Sequence, residues 1–236
     1  MIKGIYTTAR ALDHKMKNID VIANNLANLN STGFKREIPF YEELNNAGQA
    51  QMKKITSQAQ GEVVQTSNPL DLAISGKGFF VVQDQFGNSE LTRDGKFKIA
   101  DDGYLVNSTG MRVMGTNGPI SLEETLLHKS VNIKINKDGE INIDNKPVGN
   151  ILIANVSNPN MLDRAAGSNF AIDNQQLEPE STDNFAISQG YLEEANTNPI
   201  IEMEAMIQLN KDYESAQKIM NALDTSLGEA NEIGKV

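Results

Sequence analysis

Two stretches with helical spacing enclose a long middle with strand spacing. At the start, apolar residues fall at Ile2, Ile5, Ala9, Leu12, Met16, Ile19, Ala23 and Leu26, in alternating steps of three and four. That is the a/d seam of a coiled coil, kept for more than three heptads with Lys, Arg, Asp and Asn outside it. It predicts one helix from about residue 3 to about residue 31. Its length would be roughly 40 Å at about 1.5 Å per residue. A second seam runs through Met206, Leu209, Tyr213, Ala216, Met220, Leu223 and Leu227. Asn198 is placed as its N-cap and Pro199 as its first helical residue. Glu202 and Glu204 suit the positive end of the helix dipole. Ile200, Met203 and Ile207 form a second, partial stripe, so this helix is expected to touch more than one neighbour. The pattern fades after Asn221, and the end is expected to fray.

Between the seams the period drops to two. Residues 37–60 are polar and read as irregular. From Gly61 onward, β-rich runs alternate with turn signals such as Phe86-Gly87-Asn88, Asp94-Gly95, Asp102-Gly103, Asn117-Gly118-Pro119 and Asp138-Gly139. Asp-Gly between alternating apolar residues is a strong hairpin signal. The fold class expected is α+β, with N- and C-terminal helices pairing as a coiled coil and an antiparallel β-rich domain inserted between them. The boundaries drawn are 1–33 for the first helix, 34–61 for a connecting segment, 62–190 for the β domain and 191–236 for the second helix.

One stretch stands out from this plan. Ile19–Arg36 carries asparagines at 24, 25, 28 and 30, breaks at Thr32-Gly33 and leaves on Phe34-Lys35-Arg36. Asn competes with the helix for its own backbone, so a helix end rich in Asn points to amides that bond to something nearby. Gly33 is placed as the left-handed residue that stops the helix.

Charge and composition narrow the chemistry. The net charge of −10 excludes nucleic acid as partner, because phosphates need clustered Lys and Arg. Residues 1–40 hold six basic and three acidic side chains, whereas residues 193–236 hold three basic and nine acidic ones. The two ends are therefore electrostatically complementary. With no cysteine, disulfides and thiolate sites are impossible. No apolar run approaches the roughly 18 residues of a membrane span, so no membrane insertion is expected. The first residues lack the apolar core of a secretory signal. His14 and His128 pair with no legible nucleophile. Gly76-Lys77-Gly78 runs into a strand and reads as a tight turn, and Asn136–Glu140 reads as a hairpin turn. Glu193, Glu194, Glu202 and Glu204 read as a solvated helix start. No catalytic residue, cofactor or metal is expected.

Four separated blocks resemble the flagellar basal-body rod and hook family. They are Ala23–Arg36; Gly61–Val82 with Asn68-Pro69-Leu70-Asp71-Leu72; Leu91–Gly95 with Gly103–Val106 and Gly110; and Gln189–Asn196 with Glu202-Met203 and Tyr213-Glu214. They span nearly the whole chain in the family's order. Ala195 stands where the family usually has Ser, a change worth one hydrogen bond. The resemblance implies a structural subunit of the rod that spans the periplasm. Such a subunit is exported through the flagellar type III apparatus without a cleaved signal and polymerises helically with itself and other rod proteins. The shortness of the chain favours the proximal rod over the distal rod. The residues it implies for the assembly interface are Asn24, Asn25, Leu26, Asn28, Thr32, Gly33 and Phe34, with Met206, Leu209, Tyr213, Met220 and Leu223. The same helices would also suit a soluble coiled-coil adaptor that dimerises through residues 1–31 and 200–227. A small hydrolase on a β scaffold lacks a nucleophile–base pair.

Overall fold

The computed structural model describes residues 2–44, 49–123, 132–156, 162–165, 167–172 and 178–233. An N-terminal helix, a β-rich middle and a C-terminal helix follow one another, an α+β arrangement. By internal contact the chain forms two units. One comprises Met1–Asn28, Glu37–Lys54 and Thr197–Val236, and the other Leu29–Arg36 and Ile55–Asn196.

In the first unit, helix α1 (Ile2–Ala27) packs antiparallel on helix α2 (Pro199–Ile233). Three contacts fix the register: Gly4 with Leu223, Lys15 with Asp212, and Asn25 with Glu202. Eleven residues along α1, from 4 to 15, match eleven along α2, from 223 to 212, and the next ten match ten. The seam expected on α2 is the inner face. Ala216 is buried, and Met206, Leu209, Tyr213, Met220, Leu223 and Leu227 are half-buried. Within the described residues α2 runs on to Ile233. Asn198 Oδ1 accepts the N–H groups of Ile200 and Ile201, as an N-cap does.

On α1 only half of the seam turns inward. Ile5, Leu12, Ile19 and Leu26 are half-buried, but Ala9, Met16 and Ala23 are exposed. Their places on the inner face belong to Thr8, Lys15 and Ile22. Lys15 explains the shift, because its stem lies along the interface while its ammonium reaches Asp212 at 3.1 Å. A pattern of apolar residues alone cannot reveal such a position. The helix also ends at Ala27, earlier than expected.

Residues 37–60 were expected to be irregular, yet they contain strands β1 (Glu37–Leu44) and β2 (Gln49–Thr56), which pair with each other. Their charged, weakly alternating sequence hides this. Helix α1 supports β1 within the same unit.

The second unit holds strands β3 (Val63–Gln65), β4 (Leu72–Gly76), β5 (Phe79–Gln83), β6 (Ser89–Thr92), β7 (Lys98–Ile99), β8 (Leu105–Val106), β9 (Arg112–Gly115) and β10 (Gly118–Pro119). After them come β11 (Ile133–Ile135), β12 (Glu140–Ile143), β13 (Lys146–Asn150), β14 (Ile153–Asn155), β15 (Asn169–Ala171), β16 (Glu178–Pro179), β17 (Phe185–Gln189) and β18 (Tyr191–Glu193). Nine of these strands form one sheet, ordered β15-β6-β5-β9-β8-β7 with β10, β14 and β16 attached. Strand β5 is its centre, and Phe79–Val82 is buried on both faces. On one side Phe80 meets Phe97 edge-to-face at 5.1 Å, among Leu72, Ile141, Ile151 and Ile187. On the other, Phe79 meets Phe170 at 5.9 Å. Gly76 and Gly78, with φ of 106° and 99°, turn β4 into β5, so this glycine pair is the tight turn expected of it. Residues 136–140 close the β11–β12 hairpin. His128 lies outside the described residues.

Removing the ring at the centre of the sheet should be costly. Phe80→Ala is expected to destabilise the β unit by about 3–5 kcal/mol. Urea unfolding followed by circular dichroism measures this.

Candidate assembly site

The Asn-rich stretch splits between the two units, and in each it is used differently. In the helical unit, Asn25 is fully buried. Its Nδ2 donates to the Glu37 carbonyl at 2.9 Å, and its Oδ1 accepts the Glu37 N–H at 3.0 Å. The same Nδ2 donates to Glu202 Oε2 at 3.2 Å. One amide thus joins the end of α1, the start of β1 and the first turn of α2. Asn28 caps the helix, its Nδ2 donating to the Asn24 carbonyl at 2.9 Å. This local bond offers the backbone an exit from the helix before Gly33 is reached. Asn24 itself points to solvent and Leu26 is half-buried.

In the β unit, residues 32–36 enter a knot with residues 57–61, 93–94 and 193–196. Gly33 does not stop α1, since it lies six residues beyond Ala27. Its φ of 66° is left-handed, and a Cβ there would run into the Arg93–Asp94 backbone. Its N–H donates to the Glu193 carbonyl at 2.7 Å. Thr32 Oγ1 donates to Asp94 Oδ1. Phe34 has no exposed surface and lies under the Arg164 guanidinium at 4.2 Å.

Charge is buried at the heart of the knot. Lys35 is 1% exposed, and its Nζ lies 2.6 Å from Glu193 Oε1. Arg93 Nη1 approaches Glu193 Oε2 at 3.4 Å. Lys35 Nζ also donates to the Ala59 carbonyl at 2.8 Å, and the Gly61 N–H donates to Glu193 Oε1 at 3.0 Å. Burial pushes the Lys35 ammonium below the ordinary lysine range, while Glu193 pulls it the other way. Asn196 completes the tie. Its Oδ1 accepts the Arg36 N–H at 2.6 Å, and its Nδ2 donates to the carbonyls of Ser57 and Ala59.

Two carboxylates expected at a solvated helix start are therefore buried: Glu193 in the β unit and Glu202 in the helical unit. The signal for them was a residue type in the wrong place by charge alone. Each sits opposite a polar residue of the Asn-rich stretch, and only the folded chain pairs them. Of the residues expected to form an interface, Asn25 and Asn28 meet partners in one unit, and Thr32, Gly33 and Phe34 meet theirs in the other. Met206, Leu209, Tyr213, Met220 and Leu223 face α1.

These networks predict two losses. Glu193→Gln leaves two buried cations without their carboxylate and should destabilise the β unit by about 3–5 kcal/mol. Lys17→Gln, which breaks an exposed ion pair with Asp13, should leave the unfolding midpoint unchanged. Asn25→Ala removes the shared partner of Glu37 and Glu202 and should cost the helical unit about 2–3 kcal/mol. Denaturant titrations of the three variants compare them directly.

Comparison with known proteins covers the chain in three parts. Residues 5–35 match the family described as flagella basal body rod protein, and residues 73–143 match the flagellar hook protein FlgE/F/G D1 domain. Residues 188–233 match the flagellar basal body rod FlgEFG protein C-terminal region. A flagellar basal-body rod protein FlgF of Caulobacter vibrioides is 31% identical over 235 aligned positions, covering 93% of each chain. A flagellar basal-body rod protein FlgG of Borreliella burgdorferi is 31% identical over 266 positions, covering 99% of each. A FlgG of Buchnera aphidicola is 28% identical, covering 99% of this chain and all of that one. From its first helix to its last, this chain belongs to the flagellar basal-body rod family and is a structural subunit of the rod.

Proposed function

We propose that the chain is a proximal-rod subunit that polymerises helically, with copies of itself and with its rod relatives, through α1 and α2. The observation that carries this reading is apolar surface left over on two helices that already face each other. On α2, Ile200, Ile201, Met203 and Ile207 are 71%, 55%, 49% and 56% exposed. On α1, Ala9, Met16 and Ala23 keep heptad spacing on the outside. A helix with an apolar stripe on each side is built for more than one partner.

In this reading α1 and α2 pair as a two-stranded coiled coil, which their even antiparallel register favours. Asn25 and Asn28 hold the end of α1 in the helical unit, and Thr32 and Gly33 hold the following segment in the β unit. Asn24, which is exposed, then faces the neighbouring subunit beside Ile200 and Met203. Contacts between unlike surfaces add subunits without closing a ring, which yields an open helix. The product is a shaft whose stiffness carries torque across the periplasm, and no reaction is catalysed. Export through the flagellar type III apparatus, without a cleaved signal, suits a cysteine-free chain whose helices order late. The proximal position is favoured by length. The FlgF relatives of Caulobacter and Mesorhizobium align over 235 and 246 positions, covering 93% and 98% of this chain, whereas the Borreliella FlgG alignment needs 266 to cover 99%, so this chain opens fewer gaps against FlgF. Distal rod is the competing position, since the Caulobacter and Borreliella relatives are equally identical.

Met203→Ser with Ile207→Ser tests the helical interface. Both residues are exposed, so circular dichroism of the purified chain should not change. Swimming in soft agar should be abolished, with basal bodies lacking a complete rod. Wild-type swimming by this variant would overturn the reading.

A further inference from the structure

The β unit carries an apolar feature that its own fold does not use. Phe86, in the turn between β5 and β6, is 81% exposed. The turn that presents it is tightly tied. Asp84 Oδ1 accepts the N–H groups of Phe86 and Asn88 at 2.8 and 2.9 Å, and Oδ2 accepts Asn88 Nδ2 at 2.8 Å. The Asp84 N–H donates to the Asn88 carbonyl at 3.0 Å, and Gln83 Nε2 to the Gly87 carbonyl at 3.1 Å. These bonds, that of the Asn88 side chain foremost, hold the Asp84 carboxyl below the usual carboxylate range, so the turn stays tied at neutral pH. The turn grows from β5, the most deeply buried strand of the sheet. A hollow of about 860 Å³ lies beside it, lined by Gln83, Gln85 and Arg112, yet the ring stays in solvent. An aromatic ring held out on a rigid turn loses little conformational freedom when it docks, which is the property of an interface anchor.

The same unit offers a receptor. Strand β9 starts beside the turn, where Arg112 pairs with Gln83. It ends at Gly115, and the next N–H, of Thr116, donates to the Asn150 carbonyl of β13 at 3.0 Å. There a hollow of about 350 Å³ is lined by Thr116, Asn117, Pro147, Val148 and the carboxylates Asp138 and Glu140. In β13, Gly149 pairs with Ile141 and Pro147 with Asn142, which leaves Val148 as the extra residue of a β-bulge, 41% exposed. Bulges re-aim side chains at sites of use. An aromatic edge is electropositive, so a rim with carboxylates accepts a ring edge-on. Knob and hollow lie at opposite ends of one strand. That is the arrangement of a head-to-tail contact that does not close.

We propose that Phe86 of one copy docks in the Val148 hollow of a second copy of this chain, linking β units head to tail. This rests on the rod reading above and adds a contact outside the helices. The test uses the full-length chain, whose lack of native cysteine makes introduced thiols unique. Copies carrying Gln85→Cys, beside the knob, are mixed with copies carrying Asn117→Cys, in the hollow, and treated with a short bismaleimide. The expected product is a covalent heterodimer, with its yield cut roughly tenfold when Phe86→Ala is added to the Gln85→Cys copy, as for a hot-spot residue. Three results would overturn the contact: no heterodimer, a heterodimer indifferent to Phe86→Ala, or Gln85→Cys copies linking preferentially to each other. If the Met203→Ser/Ile207→Ser variant does not swim but no heterodimer forms, helix-borne assembly stands and only this contact falls. If the heterodimer forms while that variant swims normally, the contact stands and the helical interface falls.

Discussion

Two helices laid side by side can bury one stripe each, and the rest of each surface stays wet. Among the described side chains of α1 and α2 few are buried: Val21, Ile22, Asn25, Glu202 and Ala216. Among the described residues both extended hydrophobic clusters belong to the β unit. An isolated helix needs tertiary packing to be stable, and a single shared stripe supplies little of it. Among the described residues the helical unit thus has little core of its own, whereas the β unit has two extended clusters. Under the assembly reading this difference matters, because a part with its own core keeps its shape while a part without one gains order by joining subunits.

Within each unit, buried polar groups join segments far apart in the sequence. Lys35 and Glu193 meet across 158 residues of sequence, and Asn25 and Glu202 across 177. Such pairs gain little net stability over apolar residues of the same size, because desolvating the charges offsets most of the attraction. They are intolerant of a wrong partner, however, since a misplaced apolar side chain leaves a charge buried alone. The knot around Glu193 so specifies which strand lies next to the signature stretch. It can form only once residues 32–36 and 193–196 are both present, and contacts this distant in sequence form slowly.

How much of this was legible depended on the kind of interaction. The α2 seam was readable because its inner positions are apolar at every step from Met206 to Leu227. The α1 seam was half readable because Thr8 and Lys15 hold inner positions that an apolar pattern passes over, and the misread residues Ala9, Met16 and Ala23 turned out to mark the outer face. The paired strands β1 and β2 were hidden by a charged, irregular sequence. Asn25 and Gly33 were recognised as special, but their partners were not. Nothing in a linear sequence says that Glu193 is buried, because its burial depends on Lys35 and Arg93 arriving from elsewhere in the chain. The glycine turn at 76–78 and the 136–140 hairpin were readable because their chemistry is local.

The central claim is that α1 and α2 become stable only among neighbouring subunits. Amide hydrogen exchange, measured on the dilute full-length chain and on isolated basal bodies, tests it most directly. The account predicts rapid exchange along α1 and α2 in the dilute chain, slow exchange along β5, and strong protection of both helices after assembly. Helices protected as strongly as β5 in the dilute chain would contradict it.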